Sequence, residues 1–256
     1  MQPVLLELGG LQIQSYGVSK ALAALVAGWL LQRELRRRGR DPEPAFTLAI
    51  AGLVGGFLGA KLYFLAENAG GPMDHGLLST GGFTWYGGLL GGALAVWLVA
   101  RRKGIPLGEM AGMAAMPLAV AYGIGRLGCL LAGDGTYGTP TDLPWAMSFP
   151  EGTVPTTQLV HPAPLYEALL ALAAAWLLWR LRDRLSPPGL FGAFAVTMGL
   201  SRVAVEFVRL NEEVVAGLTQ PQLWSLALVA LGTVLLAREH WPQLGLRRRD
   251  ALSTTG

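Results

Sequence analysis

Charge is scarce in this chain. Of 256 residues, 14% are Asp, Glu, Lys or Arg, 52% are hydrophobic, and the mean hydropathy is +0.42; an average soluble domain carries about 25% charge. That deficit argues against a soluble enzyme. Cysteine is scarcer still: Cys129 alone can neither close an internal disulfide nor supply a thiolate cluster, so a disulfide-stapled fold and a zinc module are both excluded. No metal and no cofactor is expected. The opening MQPVLLELGG lacks a basic segment, and the first long apolar run begins only near Gly17, so no cleavable signal peptide is expected. Repeats, low-complexity tracts and composition breaks are missing too, and residues 1–256 read as a single integral membrane domain.

What is present is a series of apolar runs. A bilayer core about 30 Å thick needs about 20 mostly apolar residues per helix, and such runs lie near 15–32, 46–66, 84–100, 107–131, 162–179, 189–209 and 221–237. The net charge of +3 would suggest nucleic acid in a soluble chain, but these bases sit between apolar runs, so no nucleic-acid partner is expected. Arg33, Arg36, Arg37, Arg38 and Arg40 follow the first run, Arg101, Arg102 and Lys103 the third, Arg180, Arg182 and Arg184 the fifth, and Arg238 and Arg247 to Arg249 the last. Segments 1–14, 67–83, 132–161 and 210–220 contain no Lys or Arg. By the positive-inside rule the N-terminus is outside and the tail 238–256 cytoplasmic. A soluble helical bundle has no reason to sort charge by alternate loops. The fold class is therefore an all-α polytopic membrane protein of about seven transmembrane helices. Its one long outer segment, 132–161, is rich in Gly, Pro and Thr and reads as an ordered, turn-rich cap.

Lys20, Lys61, Arg126, Arg202 and Arg209 remain inside the runs. Ionisable groups there are costly and usually face a protein interior or a functional site. Lys20 sits early enough to snorkel to the interface, and Lys61 and Arg209 also lie toward outer ends. Arg126 is flanked by Gly123, Gly125 and Gly128, which permit close approach. Arg202, Glu206 and Arg209 recur at i, i+4 and i+7, on one helical face. Such a ladder can be structural, pairing charge to permit burial. The functional reading is that Arg126 and Arg202 clamp an anion, since guanidinium forks match phosphate oxygens, with Glu206 orienting Arg202. In a membrane protein that anion is expected to be a phospholipid head group. Tyr16, Tyr86, His161, Tyr166 and Glu167 fall near the same outer level. Gly52, Gly55, Gly56 and Gly59, like Gly87, Gly88, Gly91 and Gly92, recur at helical spacing and signal close helix packing.

SYG (15–17), GAKLYF (59–64), WYGGLLGG (85–92), GRLG (125–128), HPAPLYE (161–167) and SRVAVEFVR (201–209), in this order and spacing, resemble the prolipoprotein diacylglyceryl transferase family. The resemblance implies transfer of an sn-1,2-diacylglyceryl group from phosphatidylglycerol to the lipobox cysteine thiol of prolipoprotein signal peptides, with release of glycerol-1-phosphate. It also implies a bacterial cytoplasmic (inner) membrane location among membrane lipids. Arg126 and Arg202 match the family's phosphate-binding positions, Tyr16 its N-terminal functional tyrosine, Glu206 its acidic partner and Gly138 the glycine closing the signature loop. Lys61, Arg209 and Asp134 join the expected phospholipid-binding set.

The chain departs from better-known members at four positions. Tyr86 stands where they carry His, and Cys129, Ala132 and Asp134 replace Asn, Asn and Glu. A phenol with a pKa of about 10 is a poor base, so Tyr86 is expected to donate a hydrogen bond. His161 is then the best general base by chemistry, although His before Pro at a helix start also serves as a structural contact; Asp134 is a second candidate. Cys129 is expected to be inert. Two other readings stay open: a divergent paralogue using another phospholipid or acceptor, and a lipid or anion transporter, against which no repeated halves are found.

Overall fold

The computed structural model describes residues 2–9, 11–68 and 84–253, and at 8, 11, 85, 86 and 240–253 the backbone only. The chain is mostly helical: α1 (Ser15–Arg37), α2 (Pro44–Glu67), α3 (Trp85–Arg102), α4 (Leu107–Ala132), α5 (Ala163–Leu181), α6 (Pro187–Glu206) and α7 (Gln220–Ser253). Among the described residues, three short antiparallel ribbons depart from the all-α expectation: β1 (Val4–Leu8) with β2 (Leu11–Gln14), β3 (Met147–Phe149) with β4 (Thr156–Val160), and β5 (Glu213–Val215) with β6 (Leu218–Thr219). The last turns at Ala216 and Gly217, both at positive φ, the backbone a two-residue hairpin turn requires.

Among the described residues, five helices are long and apolar enough to cross a membrane: α2, α4, α5, α6 and the Gln220–Glu239 part of α7. Their outward faces are apolar. Ile50, Phe57 and Leu62 on α2 and Leu169 and Trp176 on α5 are more than half exposed, a surface that suits lipid and not water. α1 and α3 have spanning lengths but are more polar, α1 through Gln32, Arg33, Glu34, Arg36 and Arg37 and α3 through its four glycines and terminal arginines.

The chain divides into two compact units, 24–110 and 1–23 with 111–256. In the first, α2 and α3 touch backbone to backbone. A Cβ on Gly55 would meet the Gly91 carbonyl oxygen at 2.8 Å, and Gly59 and Gly87 each occupy the place where the other's Cβ would stand. Glycine at these positions is a condition of the contact. The loops of this unit are tied by charge: Arg40 Nε donates to Glu109 Oε1 at 3.0 Å and Lys103 pairs with Glu43 at 3.0 Å.

In the second unit, α4, α5 and α6 meet at one end through Ala115, Ala119, Ala175, Leu178, Leu190 and Ala193. Small side chains there bring the helix axes close. The opposite ends of these helices carry charge. The cap is pinned to α4, with Thr153 N donating to the Ala132 carbonyl at 2.9 Å and Val154 N to that of Gly133 at 2.9 Å.

Candidate functional site

Four side chains converge on Glu167, the fifth residue of α5, whose side chain is 2% exposed. Arg126 Nε stands 2.8 Å from its Oε2, Arg202 Nη1 donates to its Oε1 at 2.5 Å, and Arg209 Nη1 donates to its Oε2 at 3.4 Å. The Tyr122 hydroxyl donates to Oε1 at 3.2 Å and accepts from Arg126 Nε at 3.1 Å. Tyr122 and Arg126 are one turn apart on α4, which places both on the face that meets α5.

Glu206, the last residue of α6, forms a second anionic layer. Its Oε2 lies 2.8 Å from Arg202 Nη2 and 3.9 Å from Arg209 Nε, while its Oε1 accepts from Asn211 Nδ2 at 2.6 Å and Thr219 Oγ1 at 2.8 Å. The β5–β6 ribbon is thereby fastened to the charge cluster. Glu206 Oε2 and Arg209 Nε are buried without an aligned hydrogen bond, so charge alone holds them.

The helix ends at Glu206, so Arg209 is not the third rung of a helical ladder. It sits on a turn, with its N donating to the Glu206 carbonyl at 3.1 Å, and is steered to the cluster by a bridge to Gly138. Gly138 is where the cap crosses the end of α6: its N donates to the His161 carbonyl at 2.8 Å, and a Cβ there would collide with the Val208 carbonyl. The glycine expected from the resemblance thus has a local reason, the close passage that positions Arg209.

Three guanidiniums, Arg126, Arg202 and Arg209, face two carboxylates, Glu167 and Glu206, leaving one positive charge uncompensated within the cluster. Arg126 and Arg202 keep 19% and 20% of their side-chain surface, against 0% for Glu206. The carboxylates are sealed, and the two arginines retain an open side. Such an arrangement accepts a monoanion with fork geometry, as a phosphodiester offers.

The remaining expected residues fall around this cluster unevenly. Tyr16, 43% exposed on the first turn of α1, lies within electrostatic reach of Arg126, Cys129 and Asp134, and Lys20 Nζ sits 4.7 Å from its ring centroid. Cys129 is buried with its Sγ 4.0 Å from Arg126 Nη1. Asp134 Oδ1 is occupied by the Thr136 N at 3.2 Å and hydroxyl at 2.6 Å. His161 belongs to a chain of its own: Trp145 Nε1 donates to the Tyr166 hydroxyl at 2.7 Å, and that hydroxyl stands 3.2 Å from His161 Nδ1. The hydroxyl oxygen, already accepting from the indole, can donate to Nδ1 or accept from it according to the tautomer of the ring. Lys61 is buried on α2 in the other unit, and the side chain of Tyr86 lies outside the described residues. Glu167 and Tyr122 are the members that sequence reasoning left without a role. Charge balance was the available signal, since three intramembrane arginines and one ladder glutamate require another anion.

Residues 3–238 match the family model described as prolipoprotein diacylglyceryl transferase. Among similar curated proteins, the phosphatidylglycerol–prolipoprotein diacylglyceryl transferase of Clostridium tetani is 36% identical over 214 residues, covering 82% of this chain and 86% of its own. The protein of the same name from Methylococcus capsulatus is 34% identical over 261 residues, covering 94% and 96%. That of Nitratidesulfovibrio vulgaris strain Miyazaki F is 36% identical over 256 residues, covering 94% of each.

Proposed function

The chain belongs to the prolipoprotein diacylglyceryl transferase family, and from that premise we propose that its arginine cluster binds the phosphate of phosphatidylglycerol while the diacylglyceryl group passes to a prolipoprotein cysteine. The protein is a transferase and a multi-pass membrane protein. The observation that carries the site assignment is the single uncompensated positive charge beside the open sides of Arg126 and Arg202.

The chemistry explains why charge matters. A cysteine thiolate attacks the sp³ carbon that carries the phosphodiester, a C–S bond forms, and the C–O bond to phosphate breaks. Glycerol-1-phosphate leaves as a monoester whose charge rises from one negative toward two. Fixed cations meeting that growing charge lower the barrier, and losing one such donor typically costs about 10² to 10³ in rate. Glu167 and Glu206 hold the forks in place, and Arg209, Asp134 and Gly138 complete the phospholipid set. Tyr16 stands at the rim. The thiol proton goes to His161 or, in its place, Asp134. The free thiol has a pKa of about 8.5, so a base raises the reactive fraction at neutral pH.

The loop charges support seven spans in one membrane domain and an outside N-terminus, and membership of the family supports a bacterial cytoplasmic membrane location. Cysteines introduced at Asp142 and Arg40 report this topology: an impermeant thiol reagent applied to intact cells should label the first and spare the second. Incubation of the purified chain with phosphatidylglycerol and a lipobox peptide should yield thioether-linked peptide and glycerol-1-phosphate. Absence of both, where a curated relative forms them, overturns the reading. One observation favours a narrower alternative: a thiol lies 4.0 Å from Arg126 where the better-known members carry an amide. A paralogue of altered specificity should form product but fail to support growth of a strain depleted of its own transferase.

A further inference from the structure

A second set of arginines is arranged in the opposite manner. Arg33 lies over the Trp29 ring at 4.1 Å, Arg101 over Trp97 at 5.4 Å and Arg180 over Trp176 at 5.0 Å. All three pairs have the spacing Trp-x-x-x-Arg, each near the C-terminal end of its helix, where four residues make one turn and stack the guanidinium on the indole. Placed there, a guanidinium also faces the negative end of the helix dipole. The α5 pair is the most elaborate. Arg180 also lies 5.8 Å from the Trp179 ring, Arg182 lies 5.1 Å from it, and both tryptophans are about half exposed.

Beside that pair is a groove of about 320 Å³ lined by Trp176, Leu177, Arg180, Leu181 and Arg184. Arg180 and Arg184 are exposed, and neither has an ion pair among the described residues. The groove therefore combines an apolar wall, an amphipathic ring and two guanidiniums whose hydrogen-bond capacity is open. Acyl chains, a glycerol backbone and a phosphodiester present the complementary sequence of surfaces along a lipid. It is not the reaction site: thirteen residues of helix separate Glu167 from Arg180, about 20 Å at 1.5 Å per residue, most of a bilayer core.

We propose that the Trp176–Arg184 groove binds the phosphodiester head group of an anionic phospholipid in the leaflet opposite the reaction site. That this leaflet is cytoplasmic rests on the orientation given above; the groove's separation from the cluster does not. The bound lipid is a structural ligand and not the one consumed.

The test is retention of added phosphatidylglycerol by the full chain in detergent micelles, read by native mass spectrometry, with phosphatidylcholine as the zwitterionic comparison of no net charge. The wild type should hold two phosphatidylglycerol molecules above the background. Arg126→Ala should lose one. The pair Arg180→Gln with Arg184→Gln should lose the other, its apparent affinity falling about thirtyfold from two surface charge contacts. Because glutamine weakens the positive-inside signal, Arg180→Lys with Arg184→Lys is the companion. It keeps the charge and the insertion but not the fork or the stack, and should weaken retention about threefold. Both pairs should turn over lipobox peptide at the wild-type rate. Wild-type retention in the glutamine pair, equal loss of phosphatidylcholine, or a turnover defect with retention unchanged overturns the proposal. Failure of the wild type itself to form product bears on the transferase reading and leaves the retention result standing.

Discussion

At one end of α5, Arg126 and Arg202 point inward onto a carboxylate that is 2% exposed; at the other, Arg180 and Arg184 stand outward, Arg180 against tryptophan rings. The same side chain serves two purposes because its surroundings differ. Inward guanidiniums are fixed by sealed anions and keep only a narrow open side, which suits a bond-breaking step where geometry must not move. Outward ones keep their rotamers and their water, which suits a headgroup plane. A third region does without charge: α2 and α3 reach the same closeness through glycine backbones.

Removing the inward arginines should show the contrast most strongly. Arg126→Ala or Arg202→Ala is expected to lower transferase turnover about 10² to 10³-fold, and Lys at either position should recover only part, because an ammonium cannot supply a fork. Steady-state rates with phosphatidylglycerol and lipobox peptide check this; full activity in both alanine variants would remove the phosphate assignment. Glu167→Ala should do more to the fold than to any single contact. It leaves three guanidiniums facing one remaining carboxylate, a loss of about 3–5 kcal/mol for a broken buried pair, visible as a lower unfolding midpoint in detergent. A variant as stable as wild type would show that the cluster is hydrated and not sealed.

Much of the helical frame was legible in the residues alone. The runs expected near 46–66, 107–131 and 162–179 became α2, α4 and α5 with ends displaced by no more than about two residues, because a long apolar stretch has few alternatives. The ribbons were not, since a window of about 20 residues averages a four-residue strand away. Ala216–Gly217 between Glu213–Val215 and Leu218–Thr219 was a readable turn signal all the same. In the cluster, Arg202 and Glu206 followed from helical periodicity. Arg209 did not, because its position depends on the end of α6 and on a cap segment about seventy residues earlier in the chain. Glu167 stood in a motif whose charge could be seen but whose partners lie on other helices.

Smaller effects sharpen the comparison. Gly59→Ala should part α2 from α3 at a cost of about 1–3 kcal/mol for overpacking, with the loss read as a lowered unfolding midpoint; no shift would mean that the helix pair yields more easily than its backbone contacts indicate. Tyr122→Phe removes one hydroxyl that both donates to Glu167 and accepts from Arg126. It should cost about 1 kcal/mol, or about fivefold in kcat/KM, with no change in phosphatidylglycerol retention at the α5 groove.

The most direct test is a density map of the chain with phosphatidylglycerol bound. The account predicts phosphate oxygens within about 3 Å of both Arg126 and Arg202, with Glu167 still behind them. A phosphate seated elsewhere, with both guanidiniums engaged only by Glu167 and Glu206, would contradict it.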